Sequence, residues 1–263
     1  MTVAEAGPTL EEVFDLEEVD RDLYRSNLVY PDQHALYGGQ VVAQALLAAG
    51  RTVEPGRPPH SLHAYFLRAG DASRPTVFRV ERDRDGGSFS ARRVVAVQDA
   101  EVICSVSCSF SRPSAGLDRT VTAPPQAEDP EALPEWTLPR LFGLSSRLPQ
   151  QPYPDASWPT RLWAKTSAPL PDDPLLHASV LTWFSDIASG TSAFEGSGER
   201  TATSLDHAVW FHRPLRMDEW VLMDLVPQTM AEGRGWYTGT VHDAAGRLGA
   251  SLTQEILSRP RRR

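Results

Sequence analysis

The stretch SLDHAVWFHRP (204–214) places a serine, an aspartate and a histidine side by side, ahead of β-favouring bulk. In an extended chain side chains alternate between faces. Ser204, Asp206, Ala208, Trp210 and His212 then share one face, and Leu205, His207, Val209, Phe211 and Arg213 share the other. His207 points away from Ser204, so no local Ser-His-Asp machine is expected. An earlier stretch, HAYFLR (63–68), resembles HAVWFHR (207–213) with one gap. Downstream, GGSFSARRVVAVQDAEVICSVSCSF parallels GRGWYTGTVHDAAGRLGASLTQEI. The repeat length of about 146 residues is too long for a solenoid and suits two copies of one small domain.

Each copy has the same order of elements. In the first, LYGGQVVAQALLAAGRTV predicts a helix entered through Gly38-Gly39, with Val41, Val42, Ala45, Leu46 and Ala49 as its apolar stripe. HSLHAYFLRAG, PTVFRVERDRD, GGSFSARRVVAVQ and AEVICSVSCSF follow as four strands separated by turn signals. In the second, strand-like SWPTRLWAKTS precedes a helix in DDPLLHASVLTWFSDIAS, where Asp-Asp-Pro supplies an acidic N-cap and a proline at N1. Four more strands come after it: SLDHAVWFHRP, EWVLMDLVPQT, GRGWYTGTVHD and RLGASLTQEIL. Between the copies lies PSAGLDRTVTAPPQAEDPEALPE, read as a loose, polar linker. The division is therefore 1–113, a linker over 114–155, and 156–263. Each unit is α+β, an antiparallel sheet wrapped around a central helix, and two in tandem make a double hot-dog fold.

A chain of 263 residues can bury cores of this size, and its formal charge of −8 argues against a grip on nucleic acid. The basic RPRRR at the end is read as a solvated tail. No apolar run approaches the roughly 20 residues of a membrane helix. The acidic N-terminus lacks the order of a signal peptide, so a cytoplasmic location is expected. Cys104 and Cys108 lie on one face of one strand, about 13 Å apart, too far to bridge. They are expected to be buried and inert.

With these segments in order, LYGGQVVAQAL (36–46), HSLHAYFLRAGD (60–71), RDGGSFSARRVVAVQ (84–98), FSD (184–186), SLDHAVWFHRP and LTQE (252–255), the chain resembles the acyl-CoA thioesterase II (TesB-like) family of double hot-dog thioesterases. The resemblance implies hydrolysis of acyl-CoA to free acid and CoA, without metal or other cofactor. It also implies a homo-oligomer. In that family an Asp, a Thr or Ser, and a Gln hold the attacking water; carried across, these are Asp186, Ser204 and Gln254. Ser in place of the usual Thr keeps the hydroxyl and loses the stiffening methyl. The segment IASGTSAFEGSGER is smaller and more polar than the family pattern, which bears on acyl-chain preference.

Gly38, Gly39, Gln40, His60 and Arg92 are the substrate-binding candidates. The two glycines would offer backbone amides to the oxyanion, and Gln40 would form pocket wall. Arg92 or its neighbour Arg93 would meet the phosphates of CoA, with a solvated strand edge as the alternative. His60 and His63 point to opposite faces of a strand, against a metal site. Gly196-Ser197-Gly198 follows no strand and is no dinucleotide loop. The absence of G-x-S-x-G removes the nucleophile elbow of α/β-hydrolases. Two rival readings on the same fold are an enoyl-CoA hydratase, whose Asp/His pair has no counterpart here, and a non-catalytic acyl-CoA-binding protein, which would have lost the base. Laying HAYFLR on AVWFHR sets Pro59 opposite Ser204, or Ser61 if the single gap is moved; the helix entry sets Gln40 opposite Asp186, and ICSVSCSF on GASLTQEI sets Cys108 opposite Gln254. The first half then lacks the carboxylate and the amide, and one catalytic site per chain is expected.

Overall fold

The computed structural model describes residues 9–29, 35–138, 141–194 and 200–260. The stretch 196–198 and the last three arginines lie outside these residues. A five-residue helix α1 (Leu10–Phe14), closed by a Thr9/Glu12 capping box, leads into β1 (Leu16–Asp20) and β2 (Leu23–Ser26). Helix α2 (Gly38–Arg51) is followed by β3 (Pro59–Phe66), β4 (Val77–Asp85), β5 (Phe89–Gln98) and β6 (Glu101–Ser111). Three short strands, β7 (Glu135–Trp136), β8 (Leu144–Arg147) and β9 (Arg161–Thr166), precede helix α3 (Pro174–Ser185). The chain ends with β10 (Arg200–Ser204), β11 (Asp206–Phe211), β12 (Val221–Ala231), β13 (Arg234–Asp243) and β14 (Leu248–Pro260). The strands form one antiparallel sheet, ordered β1-β2-β4-β5-β6-β3-β11-β14-β13-β12-β9-β8-β7, with β10 also on β14. This is the double hot-dog arrangement, two wrapped helices under one continuous sheet.

The two halves join where β3 pairs with β11, His63 opposite Ala208 and Leu62 opposite Val209. Leu62, Ala64, His207 and Val209 face the core, while His63 is exposed. His63 and His207 therefore cannot be equivalent, although the letters align. A two-fold relation that preserves the faces sets His63 on Ala208, as HAYFLR on AVWFHR requires. Both strands carry an irregularity just before this joint, between Pro59 and Ser61 in β3 and at Leu205 between β10 and β11.

The helices pack antiparallel. At the start of α2, a Cβ on Gly39 would lie 2.6 Å from the Trp183 carbonyl near the end of α3. At its other end, Gly50 sits directly on Leu175. Small residues thus set the close approach. The stripe read on α2 is wider in the structure: every residue from Val41 to Ala49 is buried, Gln44 included, because the sheet covers one side and α3 the other. Gln44 answers its burial by donating to the Val13 carbonyl at 2.6 Å. Helix α3 starts as predicted, with Asp173 accepting from Leu175 N and Pro174 at the first turn.

The proline-rich stretch is anchored rather than loose. Trp163 Nε1 donates to the Glu128 carbonyl at 3.0 Å, Trp220 Nε1 to Glu131 at 2.7 Å, and Arg213 Nε to Asp118 at 2.9 Å. Ala127 and Leu133 pack on Trp163, Trp220 and Leu222. Part of the span 114–155 is sheet, since β8 pairs with β9. Proline hides this from a periodicity reading because it removes the regular alternation while leaving carbonyls free to accept.

Cys104 and Cys108 are both buried, and burial pushes each thiol up to about 12, far from a reactive thiolate. His207 is also fully buried. Its Nε2 lies 2.8 Å from Ser185 Oγ, which itself donates to the Thr182 carbonyl at 3.0 Å. Ser185 has one proton, so His207 is the donor and carries hydrogen on Nε2. Burial pushes its imidazole down to about 3, against about 6.5 for an unperturbed His. Between those values the unfolded chain binds a proton that the folded chain refuses. The stabilisation is complete above pH 6.5 and is lost as pH falls toward 3, at up to about 1.4 kcal/mol per pH unit. His207→Gln is expected to flatten the acid side of the stability curve. Urea unfolding at pH 7, 6, 5 and 4 checks this, and an unchanged slope refutes it.

Candidate active site

Asp186 caps the C-terminus of α3 and is 3% exposed. Ser204 ends β10, and Gln254 lies fully buried in β14. The fold brings all three together. Ser204 Oγ donates to Asp186 Oδ1 at 3.2 Å, and Gln254 Nε2 donates to the same oxygen and to Ser204 Oγ, the latter at 2.8 Å. One carboxylate oxygen thus takes a hydroxyl and an amide donor.

Ser204 reaches this position by a device that alternation does not show. Ser204 pairs with Ile256 but Ala208 pairs with Thr253, so one extra residue is inserted between them. This bulge turns Ser204 to the same face as His207 and Gln254, and not to the opposite face with Ala208 as simple alternation requires. Asp206 holds the bulge by accepting the Glu255 N–H at 2.7 Å, while Leu205 N donates to the Glu255 carbonyl at 2.9 Å. The local triad still fails, because the bonded partner of His207 Nε2 is Ser185. Asp206 is a clamp and His207 a prop under the turn that carries Asp186.

The glycines at 38 and 39 are there for space. A Cβ on Gly38 would lie 2.6 Å from Asp186 Oδ2 and 2.8 Å from the Phe66 ring; one on Gly39 would meet the Tyr37 ring at 2.6 Å. Tyr37 Oη fixes this corner by donating to the Trp183 carbonyl at 2.9 Å. The positive end of α2 therefore abuts the carboxylate at the end of α3. Gln40 is half-buried in the first turn of α2.

Two candidates do not belong to this cluster. His60 is half-buried with Nε2 2.7 Å from Ser109 Oγ and its ring edge-on to Phe89. Its partners are on β6 and β5. Arg92 is 1% exposed and cannot present its guanidinium to CoA phosphates. It donates to Thr52 Oγ1 at 2.7 Å, to the carbonyls of Thr52, Arg84 and Ala91, and to Asp85 at 2.8 Å. The expectation of alternating faces fails to decide which strand face is solvent, and here the inward one holds a charge.

Tyr237 is a neighbour of the cluster that the sequence reading does not name. Fully buried, it donates its hydroxyl hydrogen to Gln254 Oε1. Burial, reinforced by the charges of Asp186 and Asp206, pushes its phenol well above the usual range and keeps it protonated. In GRGWYTGTVHD a tyrosine beside a tryptophan reads as strand bulk, and nothing local says which ring faces inward.

Symmetry explains both aromatic and arginine. Arg92 pairs with Cys108, and Tyr237 with Gln254. Under the face-preserving relation Cys108 falls on Gln254, so Arg92 falls on Tyr237. Thr52 caps α2 as Asp186 caps α3. Gln40, in the first turn of α2, is consequently not the counterpart of Asp186; Thr52 is. The first half has threonine, cysteine and proline where the second has Asp186, Gln254 and Ser204, and Arg92 fills the space. Arg92→Ala is expected to cost about 3 kcal/mol of stability, roughly 6–12 °C in Tm, through lost buried hydrogen bonds. KM in folded protein should stay within about twofold. Thermal melts and kinetics test this, and an intact Tm with a tenfold higher KM would restore the phosphate reading.

Residues 28–111 match the acyl-CoA thioesterase N-terminal domain and residues 118–258 the C-terminal domain of that enzyme. The chain is 33% identical to acyl-CoA thioesterase 2 of Haemophilus influenzae, over 93% of this chain and 94% of that protein. It is 32% identical to human acyl-coenzyme A thioesterase 8, over 92% and 86%. The crystal structure of an acyl-CoA thioesterase II, TesB2, from Mycobacterium marinum superposes with a TM-score of 0.81 at 39% identity, covering 96% of this chain and 97% of that one. With both domain types matched in order and full-length similarity at this level, the chain belongs to the acyl-CoA thioesterase family.

Proposed function

We propose that this thioesterase hydrolyses acyl-CoA with a water activated by Asp186 and oriented by Ser204 and Gln254, at one site per chain. The observation that carries the reading is the convergence of a buried carboxylate, a hydroxyl and a carboxamide from α3, β10 and β14 on a single carboxylate oxygen. Asp186 Oδ2, on the side of Gly38, accepts the proton as the water oxygen bonds to the thioester carbonyl carbon. The oxyanion so formed is stabilised by the first-turn N–H groups of α2, at the positive end of that helix. Collapse breaks the carbon–sulfur bond, and the departing CoA thiolate takes the proton from Asp186. Acid and thiol leave, and the carboxylate is restored.

The first half serves as platform and wall. Its share of the site is Gly38, Gly39, Gln40 and Phe66, while its own counterpart of the catalytic cluster is occupied by Arg92. The chain is also proposed to self-associate: Tyr65 and Leu67, at the β3–β11 joint, are 62% and 53% exposed, an apolar surface suited to a second copy. Light scattering at micromolar concentration should give a mass above the 29.0 kDa of one chain, and a monomer mass refutes this.

Asp186→Asn keeps the shape and removes the proton acceptor. A general base contributes about 10²–10⁴ in rate, so kcat should fall by that order with folding intact. Release of free thiol from a panel of acyl-CoAs at saturation measures it. Activity within about threefold of wild type would remove Asp186 from the base role.

A further inference from the structure

We infer that Tyr237 is a positioning residue for hydrolysis, holding the Gln254 amide in the one orientation that presents its NH2 to Asp186 and Ser204. The inference rests on the reading of Asp186, Ser204 and Gln254 as the water-holding set.

A carboxamide in a buried site must place a donor end and an acceptor end. The NH2 of Gln254 is used twice, toward Asp186 Oδ1 and Ser204 Oγ. Its Oε1 is as deeply buried and takes the Tyr237 hydroxyl. Without that hydroxyl the carbonyl would be left in an apolar interior, and rotation of the amide toward any other donor would withdraw the NH2 from the carboxylate. The Tyr237 ring also packs on the segment that follows Asp186, against Gly190. Ala188 has φ +54°, a left-handed conformation that a lone alanine adopts only when its surroundings hold it there. Gly190, two residues on, lies against the Tyr237 ring so closely that any Cβ would overlap it. Tyr237 thus joins the two segments whose relative placement sets the geometry of the site, its hydroxyl bonded to Gln254 of β14 and its ring packed on the chain that leaves α3 after Asp186.

The hydroxyl has no part in bond making. Its protonated state is needed only to donate, and its hydrogen bond goes to Gln254 Oε1 and not to Asp186 or Ser204. Its loss should therefore slow turnover without weakening acyl-CoA binding.

The test is a double-mutant cycle on the full chain with Tyr237→Phe, Gln254→Ala and the pair, using wild type and Asp186→Asn as references. Thiol release is followed over a range of acyl-CoA concentration, with a thermal melt of each protein. Tyr237→Phe is expected to lower kcat about tenfold or more, as small misplacements of catalytic groups do, with KM within twofold. In the Gln254→Ala background the same change should alter kcat less than twofold, since coupled residues do not add. An equal loss in both backgrounds would show that Tyr237 acts through general packing and would overturn the inference. So would Tyr237→Phe with wild-type kcat while Asp186→Asn and Gln254→Ala remain impaired; the hydrolytic site would stand and only this role would fall. Asp186→Asn and Gln254→Ala with wild-type turnover would instead remove the site reading and the Tyr237 role together.

Discussion

The pairing of β3 with β11 is the contact on which the rest of the molecule depends. It makes one sheet of two and relates the halves by a two-fold axis through the sheet. Helices wrapped by halves so related must run antiparallel, which carries the start of α2 to the end of α3. Gly38 and Asp186 meet for that reason alone, although most of the chain separates them in sequence. A positive helix end and a carboxylate are thereby fixed face to face before any substrate arrives. The close approach of the helices is possible because Gly39 and Gly50 carry no side chain at the two points of contact.

Duplication offers two equivalent positions, and their residues differ. The equivalent positions hold threonine for aspartate, cysteine for glutamine, and proline for serine. A buried thiol held at about 12 has no basic form at neutral pH. Arg92 then occupies the space of Tyr237, and its guanidinium is satisfied by carbonyls, a hydroxyl and Asp85.

The end of the molecule that holds Asp186 is built on small departures from regularity. The bulge before β11 re-aims Ser204, and Asp206 secures it. A left-handed Ala188 redirects the chain after Asp186, and Gly190 admits the Tyr237 ring. A neutral His207 braces Ser185 from below. Each of these depends on a partner elsewhere in the chain, so the turn bearing Asp186 is set by the strands of the second half and not by its own sequence.

Much of this was legible in the residues themselves. The repeated order of one helix and four strands follows from periodicities of 3.6 and 2 and from turn residues at their ends, and these are local properties. Asp186, Ser204 and Gln254 are singled out by the resemblance to the thioesterase family, since each residue alone reads as an ordinary polar cap or strand position. What stayed hidden was non-local. Alternation counts residues within one strand, whereas a bulge exists only in the register between two, so Ser204 was placed on the wrong face. Arg92 looked like a ligand for phosphate because a sequence gives charge without depth. Gln40 was matched to Asp186 because letters align without regard to which end of a helix they occupy. The sequence determined the elements, their duplication and the chemical groups available; the tertiary structure decided which groups meet and which face inward, because those outcomes depend on distances between segments that no local pattern encodes.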